Sequence, residues 1–215
     1  IGQEGITDVV VFEFSGAVLV LLQASGRKAI SIDVRDAEHD GPHFKGDFRL
    51  VILLRCWERA YCLGPDCYQH LRRDHCLPAK IADGRAYWAG ANVLWCLCSI
   101  VCHALMLEQP DTIVFDHLPF ALMPGLRMTV FKTSQLGDKR DKLIKLLYRG
   151  FDQPDVAAHA RQPPGGIEPR APIWAHGDAD SRCRARSTWR DLVNTSAMVA
   201  SVAPTAGAPL SYDFS

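Results

Sequence analysis

Neither sign of charge dominates this sequence: 24 Lys and Arg stand against 24 Asp and Glu, a formal net charge of zero. No global basic field therefore draws the chain onto nucleic acid, and any such binding rests on local patches. Long hydrophobic runs are also missing. The longest, near residues 93–107, is interrupted by Ser99 and His103 and falls short of the roughly 20 apolar residues that span a bilayer. No membrane partner is expected. The opening stretch, IGQEGITDVVVFEF, has neither the basic segment nor the small-residue cleavage site of a secretory signal. It starts at Ile1 rather than Met, as a trimmed or partial product does. There is no internal repeat, and no two cysteines stand in the sharp C-x2-C spacing.

What is present is ordinary in bulk. The chain has 215 residues, 48% of them hydrophobic and 22% charged, enough for one sizeable core with an appendage. The cysteines are the exception. There are eight, seven of them between Cys56 and Cys102 and only Cys183 outside. A secreted disulfide framework is usually short and spreads its cysteines through the fold, so this distribution indicates free thiols in a reducing, cytoplasmic setting.

The order of elements suggests an α/β protein. DVVVFEFSG, Asp8 to Gly16, holds a continuous apolar run that ends in a small-residue turn, as a strand buried on both faces would. AVLVLLQASGRKA follows as a helix stopped at Gly26, and AISIDVR, Ala29 to Arg35, as a second strand ending in an acid. Strand, small-residue turn, helix, strand and acid make a βαβ unit. GPHFKGDFRLVILL adds a turn, Asp47 and a third strand. Residues 79–103 read mainly as helix, and Ala104 to Pro110 as a short buried strand. The segment from Asp138 to Phe151 suits either strand or helix. Beyond Gly150 the composition shifts to Pro, Ala and Gly, the mark of a linker or long loop over 151–183. Arg184 to Ala203 reads as one more helix and 204–215 as a tail, which leaves 1–150 as the main domain.

Several groups of residues carry candidate chemistry. Gly16, in Glu13-Phe14-Ser15-Gly16, allows close backbone approach to a cofactor, although small-residue turns follow the first strand of most α/β proteins. Asp33, close to the interval of about 20 residues from that glycine, is placed to bind ribose hydroxyls. Asp47 stands at the next strand end. In YCLGPDCYQH, Cys62, Cys67 and His70 with His75 or Cys76 provide four potential zinc ligands. Cys96, Cys98 and Cys102 sit among Val, Leu and Trp, where cysteine packs as a small hydrophobe. Glu108 precedes Pro110 at the end of a buried strand, facing a cleft or paired with an arginine. The basic residues Arg72, Arg73, Lys139, Arg140, Lys142, Lys145, Arg182, Arg184, Arg186 and Arg190 form a solvated face or phosphate contacts, diluted by Asp138 and Asp141.

Taken together, these segments resemble the S-adenosylmethionine-dependent cytosine C5 methyltransferases, and more narrowly the short methyltransferase-like proteins of bacteriophage genomes. FEFSG is similar to the family's cofactor-binding Phe-x-Gly stretch, with Val18 where the second glycine would stand. ISIDVRDAEHDGPHFKGD resembles its second strand with the ribose acid and the following Asp that faces adenine. GPDC sits where the family has Pro-Pro-Cys, and LEQP where it has Glu-Asn-Val or Glu-Asn-Pro. TSQLGDKRDKLIKLLYRG resembles a later strand segment, and RARSTWRDLVNTSAMVA a terminal helix that packs back on the cofactor domain. The resemblance implies a Rossmann-like methyltransferase fold, a mostly parallel central sheet flanked by helices, in a bacterial or phage-encoded protein. It implies S-adenosyl-L-methionine as cofactor, held by Glu13, Phe14, Ser15, Gly16, Asp33, Asp47 and Pro65, and DNA as partner.

By the same resemblance Cys67 is the nucleophile and Glu108 the acid. Cytosine C5 is a poor nucleophile; a thiolate adding at C6 makes it an enamine carbon, and a carboxylic acid at N3 offsets the charge that develops in the ring. A base within a duplex must first be flipped out. Arg72 or Arg73 would lower the thiol pKa, whereas Asp66 beside it would raise it. No segment is large enough for a separate target-recognition domain; residues 111–137 and the Pro-rich region are the candidates for that work. Two alternatives stay open: a non-catalytic or divergent member of the fold, suggested by Val18 and Pro65-Asp66-Cys67, and a zinc-stabilised binding module built on Cys62 to Cys76.

Overall fold

In the computed structural model, Val9, Val10 and Val11 are fully buried. They belong to strand β1 (Asp8–Val11), whose four residues are all enclosed. An apolar run with no polar alternation has no solvent face to offer, so it takes a central place in a sheet covered on both sides. The structure describes residues 5–52, 57–63, 102–110, 125–138, 142–162 and 193–202.

The other strands are β2 (Ala29–Asp33), β3 (His43–Lys45), β4 (Trp57–Leu63), β5 (Cys102–Pro110), β6 (Arg127–Lys132) and β7 (Leu143–Arg149). The described helices are α1 (Ala17–Ala24), the short α2 (Arg49–Ile52) and α3 (Val193–Ser201), with a 3-10 turn at Thr133–Gln135. The strands form one sheet in the order β3-β2-β1-β4-β5-β7-β6. β3, β2, β1, β4 and β5 pair in parallel, and β7 runs against both β5 and β6. This is the mostly parallel, helix-flanked, Rossmann-like sheet that the sequence led us to expect.

Two apolar layers hold the sheet. On one face Val9, Val11, Ile30, Ile32, Trp57 and Leu105 pack with Phe48, Val51 and Ile52 of α2 and its approach. On the other, Val10, Tyr61, Met106 and Leu146 pack with Val18, Leu19 and Leu22 of α1 and with Met198 and Val199 of α3. Each fully enclosed aliphatic side chain contributes about 1.5–3 kcal/mol to folding. Phe151 is also fully buried on the α1 side, and Leu136 bridges to Arg161, so the chain stays on the core past Gly150.

Several local expectations change. Cys102 and His103 begin β5 rather than ending a helix; residues 79–101 lie outside the described set. A short apolar run fits a buried helix or a buried strand equally well, and here pairing of Cys102 with Trp57 and of Leu105 with Arg149 makes it a strand. The ambiguous segment after Asp138 contains β7. The third strand is only three residues long, because Asp47 and Arg49 turn the chain into α2. β4 and β6 had no counterpart in the sequence reading: β4 lies inside the cysteine-rich stretch, and β6 carries mixed polar and apolar residues at a sheet edge.

Candidate cofactor site at the carboxyl edge of the sheet

The chain leaves β1 toward β2 on one side, while β4 lies on its other side. Such a switch in winding direction opens a crevice beyond the carboxyl ends of the two central strands. Register places Val11 beside both Ile32 and Cys62, and Cys62 beside Leu107. One step further along, Asp33, Phe12, Leu63 and Glu108 therefore share the edge of that crevice.

The loop from β1 to α1 is tightly constrained. Phe12 has φ +64° and Gly16 φ +73°, both left-handed. Glu13 is buried and turns its carboxylate onto the start of α1, where Oε1 accepts the Val18 N–H at 2.6 Å and Oε2 the Leu19 N–H at 3.2 Å. Burial raises its pKa from 4.5 to about 7, against the opposing pull of those two N–H groups. The Ala17 N–H approaches Ser15 Oγ at 3.4 Å. The sequence assigned Glu13 to the cofactor; in the structure its carboxylate is bonded to the start of α1.

The β2–β3 connection folds over this loop. The Glu38 N–H donates to the Phe14 carbonyl at 2.8 Å. The His39 ring packs on Gly16 so closely that a Cβ there would lie 2.4 Å from His39 Cδ2. Close approach at Gly16 is thus used by a side chain of the protein itself. His39 Nδ1 accepts the Gly41 N–H at 3.0 Å, and its Nε2 is 3.1 Å from Ser31 Oγ. Ser31 Oγ is 2.8 Å from His43 Nδ1, and His43 Nε2 is 3.0 Å from the Arg35 carbonyl. A carbonyl only accepts and an amide N–H only donates, so His39 Nδ1 is the acceptor of the Gly41 N–H, and the Arg35 carbonyl takes its proton from His43 Nε2. Burial lowers the His39 pKa, with His43 adding to the effect and Asp40 opposing it.

Asp33 ends β2 and is only 6% exposed. Its Oδ1 accepts the Arg35 backbone N–H at 2.9 Å and Arg35 Nε at 3.3 Å. The same guanidinium lies 3.7 Å from the centroid of the Phe14 ring. Asp47 repeats the pattern after β3: its carboxylate takes the Arg49 backbone N–H at 2.9 Å and pairs with the Arg49 guanidinium, which lowers its pKa. Sequence reasoning missed Arg35, Arg49 and His39. The signal was the D-x-R spacing present in both Asp33-Val34-Arg35 and Asp47-Phe48-Arg49, in which an Asp side chain closes on a residue two further along.

Glu108 lies within β5 between Leu63 and Leu146, only 3% exposed. Three strand spacings of about 4.8 Å each separate its strand from that of Asp33. Glu13, Phe14, Ser15, Gly16 and Asp33 are thus brought together, Asp47 follows just beyond the next strand, and Glu108 stands across the switch point. Pro65 and Cys67, with Asp66, His70, His75 and Cys76, lie outside the described residues. Cys62 is 1% exposed in β4 and belongs to the apolar layer, consistent with packing.

The donor set discriminates between cofactors. A pyrophosphate would need the N–H groups at the start of α1, and Glu13 already takes two of them. Asp33 keeps its Oδ2 oxygen clear of the two bonds to Arg35, which both fall on Oδ1. The residues present therefore fit an adenosyl group without phosphates better than a dinucleotide.

No family model matches the sequence, and no curated protein matches it. Among solved structures, the chain is similar to a protein of an Escherichia coli prophage assigned as a DNA modification methyltransferase, with TM-score 0.45 and 12% identity over 66% of this chain and 46% of that one. It is also similar to a delta-N METTL16 methyltransferase domain, with TM-score 0.44 and 10% identity over 70% of this chain and 77% of that one. Spodoptera frugiperda DNMT2 gives TM-score 0.40 and 10% identity over 66% of this chain and 50% of that one. The chain thus spans less than half the length of the first of these.

Proposed function

We propose that this chain is an S-adenosyl-L-methionine-dependent methyltransferase that acts on C5 of cytosine in DNA. The observation that carries the reading is the switch point between β1 and β4. The loop with Glu13 to Gly16 leaves one side of it, the chain toward Pro65 and Cys67 leaves the other, and Glu108 stands level with the last residue of β4.

Asp33 would hold the ribose, Asp47 the adenine amino group and Phe14 the face of the base, with Ser15, Gly16 and Pro65 shaping the pocket. Glu13 acts indirectly: its bonds to Val18 and Leu19 fix the loop and deny the helix start to phosphate. When bound, the cofactor supplies a sulfonium methyl group. The Cys67 thiolate would add at C6 of the base and make C5 nucleophilic while Glu108 gives a hydrogen bond or proton at N3; C5 would take the methyl group, leaving S-adenosylhomocysteine, and transfer of the C5 proton to water would break the C6–S bond, return the thiolate and give any N3 proton back to Glu108. The base reaches the two residues flipped out of the duplex or from a single strand.

Titration with S-adenosylhomocysteine tests the cofactor half. The reading requires micromolar binding that Asp33→Ala abolishes, and absence of binding at millimolar ligand defeats it. Methyl transfer to cytosine-containing DNA tests the other half: Cys67→Ser must lose activity while still binding S-adenosylhomocysteine. A second reading, a divergent member of the fold that binds cofactor without transferring methyl, is favoured by His39 on Gly16 and by Asp66 beside Cys67. It predicts cofactor binding with no methylated product.

A further inference from the structure

We propose that Arg35 is a built-in competitor for the adenosyl site, a residue that sets cofactor affinity by occupying the two surfaces the cofactor needs. The inference rests on the reading above. The Arg35 guanidinium bonds Asp33 Oδ1 at 3.3 Å and lies 3.7 Å from the Phe14 ring centroid. Asp33 is the acid for the ribose, and Phe14 is the aromatic face for the base. A single side chain thus takes part of both.

The geometry is that of a displaceable group. Asp33 is 6% exposed, whereas the Arg35 side chain is 55% exposed. The acid is fixed in the sheet edge and the arginine reaches back to it from solvent. The backbone N–H of Arg35 also donates to Asp33 Oδ1, so the acid keeps its orientation when the guanidinium leaves. An exposed pair of this kind is weak and screened by salt, and the cation over the ring adds a contribution of similar size. Arg49 repeats the pairing on Asp47.

Asp33 Oδ2 stays clear of Arg35, so it is the Phe14 face that adenosyl binding must free by dislodging the guanidinium. Removing it should tighten binding by about fivefold, the product of those two small contributions. Because salt weakens the competing pair, affinity of the wild-type chain should rise with ionic strength, while that of the variant should not.

The experiment is calorimetric titration of S-adenosylhomocysteine into the full chain, Arg35→Ala and Arg35→Gln, at low and high sodium chloride, with thermal midpoints to verify folding. Tighter binding by both variants at low salt, converging with wild type at high salt, supports the proposal. Equal or weaker binding by the variants while wild type binds would overturn it and leave the methyltransferase reading standing; weaker binding would make Arg35 a clamp. Failure of all three folded proteins to bind at millimolar ligand would overturn both.

Discussion

Asp138 holds Thr195, 57 residues further along the chain, through both of its donors: Oδ2 accepts the backbone N–H at 3.1 Å and the hydroxyl at 2.5 Å. Oδ1 accepts the Asn194 N–H at 3.1 Å. The carboxylate thus closes the start of α3, as Glu13 closes the start of α1. The two capped helices then pack on each other and on the sheet through Val18, Leu19, Leu22, Met198 and Val199.

Replacing Asp138 with Ala leaves those buried donors unpaired. The expected cost is about 2 kcal/mol, the usual range for a lost cap or an unsatisfied buried group. Because α3 is attached to the described core by this cap and its apolar face, Asp138→Ala should also expose α3 to protease before global unfolding. Urea denaturation and limited proteolysis measure both. A variant with the wild-type midpoint and cleavage pattern would show that packing alone holds α3.

Glu13 predicts a pH dependence with a definite sign. Its folded pKa is raised from 4.5 to about 7 by burial. A raised acid binds its proton more tightly in the folded state, so the stabilisation is complete at low pH and is lost as pH rises from about 4.5 to 7. Glu13→Gln removes the titration. Relative to wild type, the Gln variant should gain stability between pH 5 and pH 8, read as the difference in urea midpoints. The opposite trend would mean that the two N–H groups of α1 outweigh burial and hold the carboxylate ionised.

The architecture was legible where sequence pattern and environment agree. VVV of β1 is apolar without alternation and AISID is β-branched and fully buried despite Ser31 and Asp33, and both became interior strands; Gly26 took φ +81° just past the end of α1. β4 was hidden because Trp57 to Leu63 mixes charged and aromatic residues; its Cys62, open to reading as a zinc ligand or as packing, is a core side chain. Along the carboxyl edge, the positions of Asp33 at the end of β2 and of Asp47 just beyond β3 followed from the strand pattern. Arg35 and His39 did not, since their roles come from tertiary contact with Phe14 and Gly16, residues on another strand's loop.

The His39, Ser31 and His43 chain predicts acid sensitivity. Protonating His39 at Nδ1 would turn an acceptor for the Gly41 N–H into a donor facing it. Its folded pKa lies below 6.5 because burial penalises the charge, with His43 lowering it further and Asp40 opposing. A lowered base binds fewer protons folded than unfolded, so stability present above pH 6.5 is lost as pH falls below it. His39→Asn offers an oxygen for Gly41 and does not titrate. Thermal midpoints between pH 7.5 and pH 5 should fall less in this variant than in wild type; equal falls would remove His39 as a source of the acid sensitivity.

Two glycines with the same backbone conformation should respond differently to alanine. Gly26 has φ +81° and nothing within 4 Å of an added Cβ, so its substitution costs only the left-handed strain, about 1–2 kcal/mol. Gly150 has φ +69°, and an added Cβ would lie 2.5 Å from the His103 carbonyl oxygen and 3.0 Å from Ala104 Cα. Those are backbone atoms of β5, next to the strand pair Leu105 and Arg149, and they cannot swing aside as a side chain can. Moving them would disturb the strand that carries Glu108. Gly150→Ala should therefore cost at least twice as much as Gly26→Ala in urea denaturation. Equal losses would mean that the crossing of β7's end over β5 has slack, and that the position of Glu108 is less firmly set than the sheet register implies.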